Sequence, residues 1–491
     1  MFDGNWISWS LSIVVLVLLA YLISVNQLLS QTPDEIRRLS GPRWTPQLLR
    51  ETYERLRKTP FDYKDKLPPR LHRRYIVTGG SGLVGGYIVE QLLARGTPGG
   101  HIRILDLRRP SRLAVDFAST DITSAASVSA AFARPWPADA APLPLTVFHT
   151  AAVILAAERS AARYAFPETV NVRGTRNVLA AARACGASVF SATSSASVCI
   201  RPVRPLWFPF SPRERGNFAQ VLDERDFLRP LRAREGYFGN YPASKAVAER
   251  IVCEADGEGF RAGCIRPANG VYGDPTDNTV GDPLSRDVLP TWVPHIIQPF
   301  IHGRNVALAH LHHESALLLP QPSCSGRPFV VTDPNPPIAY ADLYAAIATL
   351  SAHPFAALRL PPAVALLLSH ALELYDDHLA PRFRFLLPPL TGDARSLKPA
   401  LFSICTHLVA ADGDARKGVQ DGGLGYEGVV TTLEGVVREV LEWNREHGFD
   451  CEGEEGKNGG RVKGRVAQRK TYTTSLSLAE KIQKSLSLSL S

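Results

Sequence analysis

The stretch RRYIVTGGSGLVGGYIVEQLLARG, residues 73–96, decides the fold. A short apolar strand comes first, then three glycines at three-residue spacing, then an apolar helical pattern. Glycines at this spacing let the backbone turn tightly and approach a pyrophosphate, whose charge the N-terminus of the helix attracts. The stretch therefore predicts a dinucleotide-binding turn rather than glycines that serve only a tight bend. Its predicted cofactor-binding residues are Gly79, Gly82, Leu83, Val84 and Gly85.

The next predicted strand, HIRILD, indicates which dinucleotide is bound. It ends in Asp106, which lies 21 residues after Gly85. A carboxylate at that position can bind both hydroxyls of an adenosine ribose, whereas it would repel a 2′-phosphate. Arg108 and Arg109 follow directly and leave a phosphate-binding alternative open. We expect NAD rather than NADP as the cofactor.

Strand and helix patterns continue to alternate after this point. VDFASTDIT contains a third strand and LTVFHTAA a fourth, with a helical stretch between them. Repeated strand and helix units of this kind predict an α/β fold with a doubly wound parallel sheet, whose ligands lie beyond the carboxyl ends of the strands. The predicted neighbours of the cofactor at these strand ends are Asp121, Ile122, Ala151 and Ala152.

A fifth strand and the helix after it bring together candidate catalytic groups. The strand runs out into Ser194 and Ser195, and the segment NYPASKAVAERIV then begins a helix. Tyr241 and Lys245 stand four residues apart in it, so they share one helix face.

The spacing of these two residues has a chemical reason. A phenol with a pKa near 10 is a poor base at neutral pH, but a cation about 4 Å away contributes about 4 kcal/mol at an effective dielectric of roughly 20. Tyr241 could thereby act as an acid–base group, with a serine hydroxyl on the reacting oxygen and NAD as the hydride acceptor.

Six motifs carry a resemblance to a known family: TGGSGLVGG, VNVRGTRNV, TSSASV, YPASKAVAE, IRPANGVYG and VALAH. Over residues 73–445 the chain resembles an extended short-chain dehydrogenase/reductase of the 3β-hydroxysteroid dehydrogenase family. It is especially similar to the fungal sterol-4α-carboxylate 3-dehydrogenases (decarboxylating). Of the two serines in TSSASV, the resemblance favours Ser195 as the residue that orients the substrate oxygen.

The resemblance implies roles for four further residues. Tyr241 is the acid–base residue, and Lys245 lowers its pKa and binds the nicotinamide ribose. Asn171 supports a proton relay through water, and Pro267 borders the nicotinamide. One departure is the long stretch between Ser195 and Tyr241, with an insertion of about 201–236 that holds eight arginines and five Trp or Phe residues.

The N-terminus predicts a membrane anchor. No charged residue occurs between Asp3 and Asp34, and the apolar run is long enough to cross a bilayer. A cleavable signal peptide would have basic residues before the run and a small-residue site after it, and neither is present. A buried core helix is the remaining alternative. Basic residues that follow the run place the body in the cytosol: Arg37, Arg38, Arg43 and Arg50.

We predict five segments along the 491 residues. They are the N-terminal membrane anchor (1–33), a linker with a short amphipathic helix (34–72), the NAD-binding Rossmann domain (73–275), a smaller C-terminal substrate-binding lobe (276–448) and a disordered basic tail (449–491). The tail from residue 457 onward holds eight Lys or Arg and only one acidic residue, so it supplies nearly all of the formal net charge of +8. We expect no nucleic-acid partner for the body.

The lobe offers no metal site by sequence. Histidines stand at 302, 310, 312 and 313 without acidic or cysteine partners at ligand spacing, and we interpret them as ordinary helix and surface residues. The apolar segment 358–375 is either a core helix or a helix that lies against the bilayer. The insertion is either a solvated surface loop or a membrane-facing lid.

These observations lead to three functional hypotheses. The first is NAD-dependent oxidation of the 3β-hydroxyl of a sterol-like substrate by a single-pass enzyme of the endoplasmic reticulum membrane, with decarboxylation if the substrate carries a 4α-carboxylate. The second is an alcohol dehydrogenase or ketone reductase of fungal secondary metabolism. The third is a non-catalytic NAD-binding membrane scaffold or sensor. The expected partners are the substrate, the lipid bilayer and a second copy of the chain in a homodimer.

Overall fold

Seven parallel strands form the central sheet in a computed structural model that describes residues 5–59, 62–110, 114–207, 218–383 and 385–447. Their spatial order is β7-β6-β5-β4-β1-β2-β3, so β1 and β4 are neighbours at the point where the strand order reverses. This is the predicted doubly wound sheet. The strands are β1 (Arg74–Thr78), β2 (Ile102–Asp106), β3 (Asp116–Ser119), β4 (Leu145–His149), β5 (Ala187–Thr193), β6 (Arg261–Pro267) and β7 (Pro328–Val331).

Helices cover both faces of the sheet, because its central strands are apolar on both sides and have to be buried on both. One face is covered by α5, α6 and α7, and the other by α4 and α8. The longer helices are α1 (Asn5–Ser30), α2 (Asp34–Leu39), α3 (Pro46–Lys58), α4 (Leu83–Ala94), α5 (Ala125–Ala133), α6 (Gly174–Ala184), α7 (Asn240–Glu254), α8 (Gly303–Leu317), α9 (Tyr340–Leu350), α10 (Pro362–Leu374) and α11 (Thr432–Glu446).

The strand register brings the predicted site residues to one edge. Thr78, the last residue of β1, pairs with His149, the last residue of β4, and Thr193 at the end of β5 pairs with Ile265 in β6. Because the strands are parallel, their carboxyl ends meet at this edge, and the crevice between β1 and β4 opens there.

The second lobe is smaller and is built from short pieces. Its core joins α3, α9 and α11, so the segment that we predicted as a linker helix packs against the lobe. Thr45 caps α3, because its side chain accepts from the Leu48 N–H at 3.2 Å. The short ladders outside the main sheet are Ala219–Leu222 with His407–Ala410, Val271–Tyr272 with Ile301–His302, Val288–Thr291 with Ala356–Arg359, and Ile297–Gln298 with Ile338–Ala339.

A single domain boundary at residue 276, as predicted, does not describe the path of the chain. Beyond it the chain returns to the nucleotide-binding domain, since α8 packs on α4 and β5, and β7 pairs with β6 in the central sheet. A seventh strand so far along the chain has no local signature that would assign it to one lobe rather than the other.

Helix α1 lies against the body only through its C-terminal half. Val25 is fully buried there against Ala365 and Leu366 of α10, and the amide oxygen of Asn26 accepts from the Ala363 N–H at 3.2 Å. Large apolar residues from Trp9 to Leu19 are exposed. Among the described residues α1 begins the one helical segment that is long and apolar enough to cross a membrane.

Two predictions concern parts of the chain that the structure does not fully describe. The insertion of about 201–236 is described up to residue 207 and again from residue 218, where it contributes the strand Ala219–Leu222. The predicted disordered tail, 449–491, lies outside the described residues.

Two glycines with the same backbone conformation allow a test of the turn. Gly79 has φ +71° and Gly186, at the end of α6, has φ +69°. A Cβ at Gly186 would meet nothing within 4 Å, whereas a Cβ at Gly79 would lie 2.7 Å from the Ala151 nitrogen. We expect Gly186→Ala to lose about 1–2 kcal/mol of unfolding free energy through the left-handed conformation alone, and Gly79→Ala to lose more because of the clash. Thermal unfolding of both variants measures this, and equal losses would contradict the close approach of Gly79 to Ala151.

Candidate functional site

The glycine turn between β1 and α4 forms a cradle at the carboxyl edge of the sheet. The Gly79 N–H donates to the Leu105 carbonyl at 2.8 Å, and the Gly82 N–H donates to the Gly79 carbonyl at 3.0 Å. A Cβ at Gly85 would lie 2.4 Å from the Gly79 oxygen, so the turn closes this tightly only with glycine there. Gly82 caps α4 without a side-chain hydrogen bond, and Leu83 and Val84 are the first helical residues. The first N–H groups of the helix are therefore available to an anion.

Asp106 lies at the lip of this cradle. Its carboxylate accepts from the Ser81 N–H at 3.1 Å and from the Arg108 N–H at 3.2 Å. These two bonds fix the carboxylate between the glycine turn and the end of β2, where a ribose of a dinucleotide on the turn has to pass. The Arg108 side chain is exposed, and Arg109 lies over the Phe117 ring at 5.3 Å from its centroid.

The other predicted neighbours of the cofactor border the same crevice. Ala151 and Ala152 are half-buried immediately after β4. The Asp121 carboxylate accepts from both the N–H and the hydroxyl of Thr123, at 2.9 and 2.8 Å, and Ile122 is buried against α6. Small residues after β4 and an apolar side chain after β3 suit the flat faces of a dinucleotide. The cradle, the carboxylate and these surfaces together fit NAD.

The Tyr241 hydroxyl reaches the end of β5. Tyr241 is nearly buried in the first turn of α7, and its hydroxyl lies near the Ser195 side chain, which lowers the pKa of Tyr241. The Ser195 hydroxyl in turn donates to the Ser197 hydroxyl at 2.8 Å. Ser194 is also buried, but its hydroxyl has no hydrogen-bond partner among the described residues. Ser195, the serine that the resemblance favours, is therefore the one whose hydroxyl acts on the pKa of Tyr241.

Lys245 is buried one turn further along α7, and its ammonium donates to the Thr193 carbonyl at 2.5 Å. Burial lowers the pKa of Lys245 to about 8, although Cys264 and Glu249 oppose the shift. Burial raises the pKa of Tyr241 to about 12, and the nearby Ser195 hydroxyl offsets only part of the rise. The lowering of the Tyr241 pKa by Lys245 stays a prediction.

Asn171 lies in a π-helical turn, Glu168–Arg173, that leads into α6. Its side-chain oxygen accepts from the Val153 N–H at 2.9 Å, and its side-chain nitrogen donates to the Val153 carbonyl at 3.0 Å and to the Ser244 hydroxyl at 2.9 Å. These three bonds clamp the segment after β4 to the helix that carries Tyr241. The structure shows that Asn171 connects these two segments. Its role in a proton relay through water stays a prediction.

Pro267 is the last residue of β6 and is buried beside the end of β5. The Ser194 N–H donates to the Ile265 carbonyl at 2.7 Å, and the Ala268 N–H donates to the Val331 carbonyl at 2.9 Å. Pro267 thus lies at the same carboxyl edge as the serines. Because Pro267 ends the strand, its lack of an N–H removes no hydrogen bond between strands.

None of the histidines predicted at 302, 310, 312 and 313 is exposed, although His312 is only partly buried. His302, His310 and His313 are buried, and burial lowers the pKa of each. No group of three or more His, Cys, Asp or Glu residues within the described ranges could hold a metal ion. In the sequence, these histidines stand among the apolar residues of VALAHLHH (306–313), and this apolar context was the signal for their burial.

Sequence reasoning missed the residues that support the catalytic set. Ser244 binds Asn171, and the Thr193 carbonyl binds Lys245. At the end of β4, His149 joins the hydroxyls of Thr78 and Thr175 at 2.7 and 2.9 Å. Ser244, Thr193, Thr78 and Thr175 all stand inside motifs that the sequence analysis quotes, but the motifs gave no sign of which contacts these residues make.

Comparison with known proteins gives a match to one family and to several curated relatives. Residues 75–310 match the NAD dependent epimerase/dehydratase family. Human 3 beta-hydroxysteroid dehydrogenase type 7 is 28% identical over 296 residues, which cover 55% of this chain and 70% of that protein. The sterol-4-alpha-carboxylate 3-dehydrogenase, decarboxylating, of Schizosaccharomyces pombe is 27% identical over 308 residues, 60% of this chain and 80% of that protein.

A solved structure shares the fold. Pal from Bacillus thuringiensis superimposes with a TM-score of 0.50 at 16% identity, over 76% of this chain and 99% of that chain. At this identity the likeness concerns the fold alone. The match to an NAD-dependent family confirms the predicted cofactor, and the parallel sheet confirms the predicted fold class.

The buried Lys245 predicts a pH dependence of stability. Its pKa falls from 10.5 to about 8 on folding, so the unfolded chain binds more protons than the folded chain between these values. The stability of the protein relative to a Lys245→Met variant should therefore rise between about pH 8 and 10.5 and stay constant from pH 6 to 7. Thermal unfolding of both proteins across this range measures the difference. A difference that falls with pH above 8 would contradict the buried ammonium.

Proposed function

Since residues 75–310 match the NAD dependent epimerase/dehydratase family, we propose that this chain is a membrane-anchored dehydrogenase that oxidises the 3β-hydroxyl of a sterol-like substrate. The observation that carries the proposal is the proximity of the Tyr241 and Ser195 side chains at the carboxyl edge of the sheet, where the glycine cradle opens. Both hydroxyls can contact one substrate oxygen. The ring of a dinucleotide on the cradle would reach the same edge.

The chemistry divides between these residues and the cofactor. NAD, when bound, accepts the hydride from the carbon that carries the substrate hydroxyl and brings a positive charge to the crevice. Tyr241 accepts the hydroxyl proton, and Ser195 donates a hydrogen bond that orients the reacting oxygen. Because burial alone raises the Tyr241 pKa to about 12, deprotonation of this phenol depends on nearby positive charge. Lys245 supplies part of that charge from its seat on Thr193 and binds the nicotinamide ribose.

The sterol-like substrate is proposed from two independent supports. The names of the human and fission-yeast relatives both refer to 3-hydroxyl chemistry on steroids or sterols. In the chain itself, α10 exposes Val364, Leu367 and Leu368 beside the apolar helix α1. A lipid-soluble alcohol could pass along such a surface from the bilayer.

Decarboxylation is the finer part of the proposal. If the substrate carries a 4α-carboxylate, oxidation at the neighbouring carbon gives a β-keto acid, and its new carbonyl accepts the electrons as carbon dioxide leaves. No additional base is needed for this step. The relative from Schizosaccharomyces pombe supports it through its name. A panel of 3β-hydroxysterols with and without the 4α-carboxylate separates simple oxidation from oxidation with loss of carbon dioxide.

Membrane anchoring by α1 is proposed from its exposed apolar half. The contacts of Val25 and Asn26 with α10 fix α1 to the body, while the residues before Ala20 extend away from it. We place the body on the cytosolic side of the endoplasmic reticulum, because arginines follow the span. The segment 358–375 contains α10, whose exposed apolar face then lies next to the anchor.

Replacing Tyr241 tests the catalytic assignment. Tyr241→Phe should lower kcat by about 10²–10⁴-fold, because it removes the acid–base group, while NAD still binds. Reduced-nicotinamide absorbance with the sterol panel measures the rate, and calorimetry measures NAD binding. Tyr344→Phe, which alters a buried phenol of the second lobe, is the matched control and should retain activity. Full turnover of the sterols by Tyr241→Phe would overturn the assignment.

Shortening α1 tests the anchor. Deletion of residues 1–20 leaves the part of α1 that packs on the body, so thermal stability should change little. The protein should move from the membrane fraction to the supernatant after carbonate extraction, since most of the apolar length needed to cross a bilayer is lost. A full-length protein in which Leu16 and Leu18 are replaced by alanine serves as the control and should stay with the membranes. Retention of the shortened protein in the pellet would contradict anchoring by α1.

A further inference from the structure

Thr193, the last residue of β5, hydrogen-bonds two buried side chains that lie on different helices. The Thr193 carbonyl accepts from the Lys245 ammonium at 2.5 Å. The hydroxyl of the same residue hydrogen-bonds Nε2 of His310 at 2.7 Å. His310 is fully buried on α8, which belongs to a part of the chain far from the catalytic motifs in sequence. One strand residue thus connects α8 with the catalytic helix α7.

Both ring nitrogens of His310 are used. Ser191 and Thr193 stand two residues apart on β5 and so lie on one face of the sheet. The Ser191 hydroxyl is 2.7 Å from Nδ1 of His310 and 2.8 Å from Nδ1 of His313. The His310 ring is therefore fixed by two strand hydroxyls rather than free to rotate in its cavity.

The hydrogen-bond partners also indicate where the protons lie. Nε2 of His313 is buried and has no partner among the described residues, so it is better placed as a bare acceptor than as an N–H donor. His313 then donates from Nδ1 to Ser191, and Ser191 donates to Nδ1 of His310. His310 is left to donate from Nε2 to the Thr193 hydroxyl. Burial and the charge of Lys245 lower the pKa of His310, which keeps the ring in this neutral form.

We propose that His310 is a positioning residue for the cofactor site: it fixes Thr193, whose carbonyl seats the Lys245 ammonium. The role of Lys245 in binding NAD comes from the proposed function, and the inference rests on it. Lys245 also has Glu249 and Cys264 nearby, and it is close enough to His149 and His310 to lower the pKa of each. Among these groups His310 alone shares a hydrogen-bonded residue with the ammonium in the described structure.

Two conservative variants separate this role from simple packing. A glutamine amide can occupy the place of Nε2 and keep the bond to Thr193, whereas an asparagine amide reaches only the place of Nδ1 and keeps the bond to Ser191. We expect His310→Asn to weaken NAD binding about tenfold, the loss typical of one hydrogen bond to a positioning group, and His310→Gln to stay within about twofold of the wild type. Thr193→Val removes the hydroxyl but keeps the carbonyl, and it should reproduce His310→Asn.

The decisive experiment is a double-mutant cycle with Lys245→Met, read by calorimetric titration of the full chain with NAD. If His310 acts through Lys245, His310→Asn should have no further effect on NAD affinity once Lys245 is replaced. Equal losses with Gln and Asn, or an unchanged tenfold loss in the Lys245→Met background, would overturn the proposal. NAD binding needs no alcohol, so the cycle gives its answer even if no sterol is oxidised. Failure of the proposed function would instead appear as absent turnover with an intact cycle.

Discussion

A buried ammonium must have a partner, and in this protein Lys245 finds it in the carbonyl of Thr193. That bond joins the helix that carries Tyr241 to β5, the strand that Ser194 and Ser195 follow. It helps to fix the position of α7 along β5, and this position brings the Tyr241 hydroxyl near Ser195. The catalytic arrangement therefore depends on a backbone atom at the end of a strand.

Other contacts close the crevice around this bond. Asn171 ties the segment after β4 to Ser244 on α7, so the catalytic helix is fixed from both neighbouring strands. The second lobe is attached close by, since the largely buried Lys398 pairs with Glu158 and Asp376 at 2.9 Å each. The Glu158 carbonyl accepts from the Asn240 N–H at the start of α7. A movement of the second lobe would therefore shift Glu158 and, through it, the N-terminus of α7.

The sequence predicted what local spacing can encode. Gly79, Gly82 and Gly85, the acid that ends β2 and the four-residue step from Tyr241 to Lys245 all depend on neighbours within one turn or one strand–helix unit. The fold class predicted from these features is confirmed by the parallel sheet, and the glycine turn lies between β1 and α4 as predicted.

What the sequence did not reveal depends on contacts between distant segments or on backbone atoms. The Thr193 carbonyl has no residue signature, and burial by the whole fold is what raises the Tyr241 pKa rather than lowering it. The pairing of β7 with β6 and the contact of His310 with β5 join segments that are far apart along the chain, 117 residues apart in the case of His310 and Thr193.

The central claim is that this crevice transfers a hydride from a secondary alcohol carbon to NAD. The most direct measurement uses a 3β-hydroxysterol that carries deuterium at carbon 3, incubated with NAD and the membrane-reconstituted protein. Mass spectrometry of the reduced cofactor should find one deuterium in the nicotinamide ring. Formation of the ketone with unlabelled reduced cofactor, or no label from any deuterated secondary alcohol, would contradict the account.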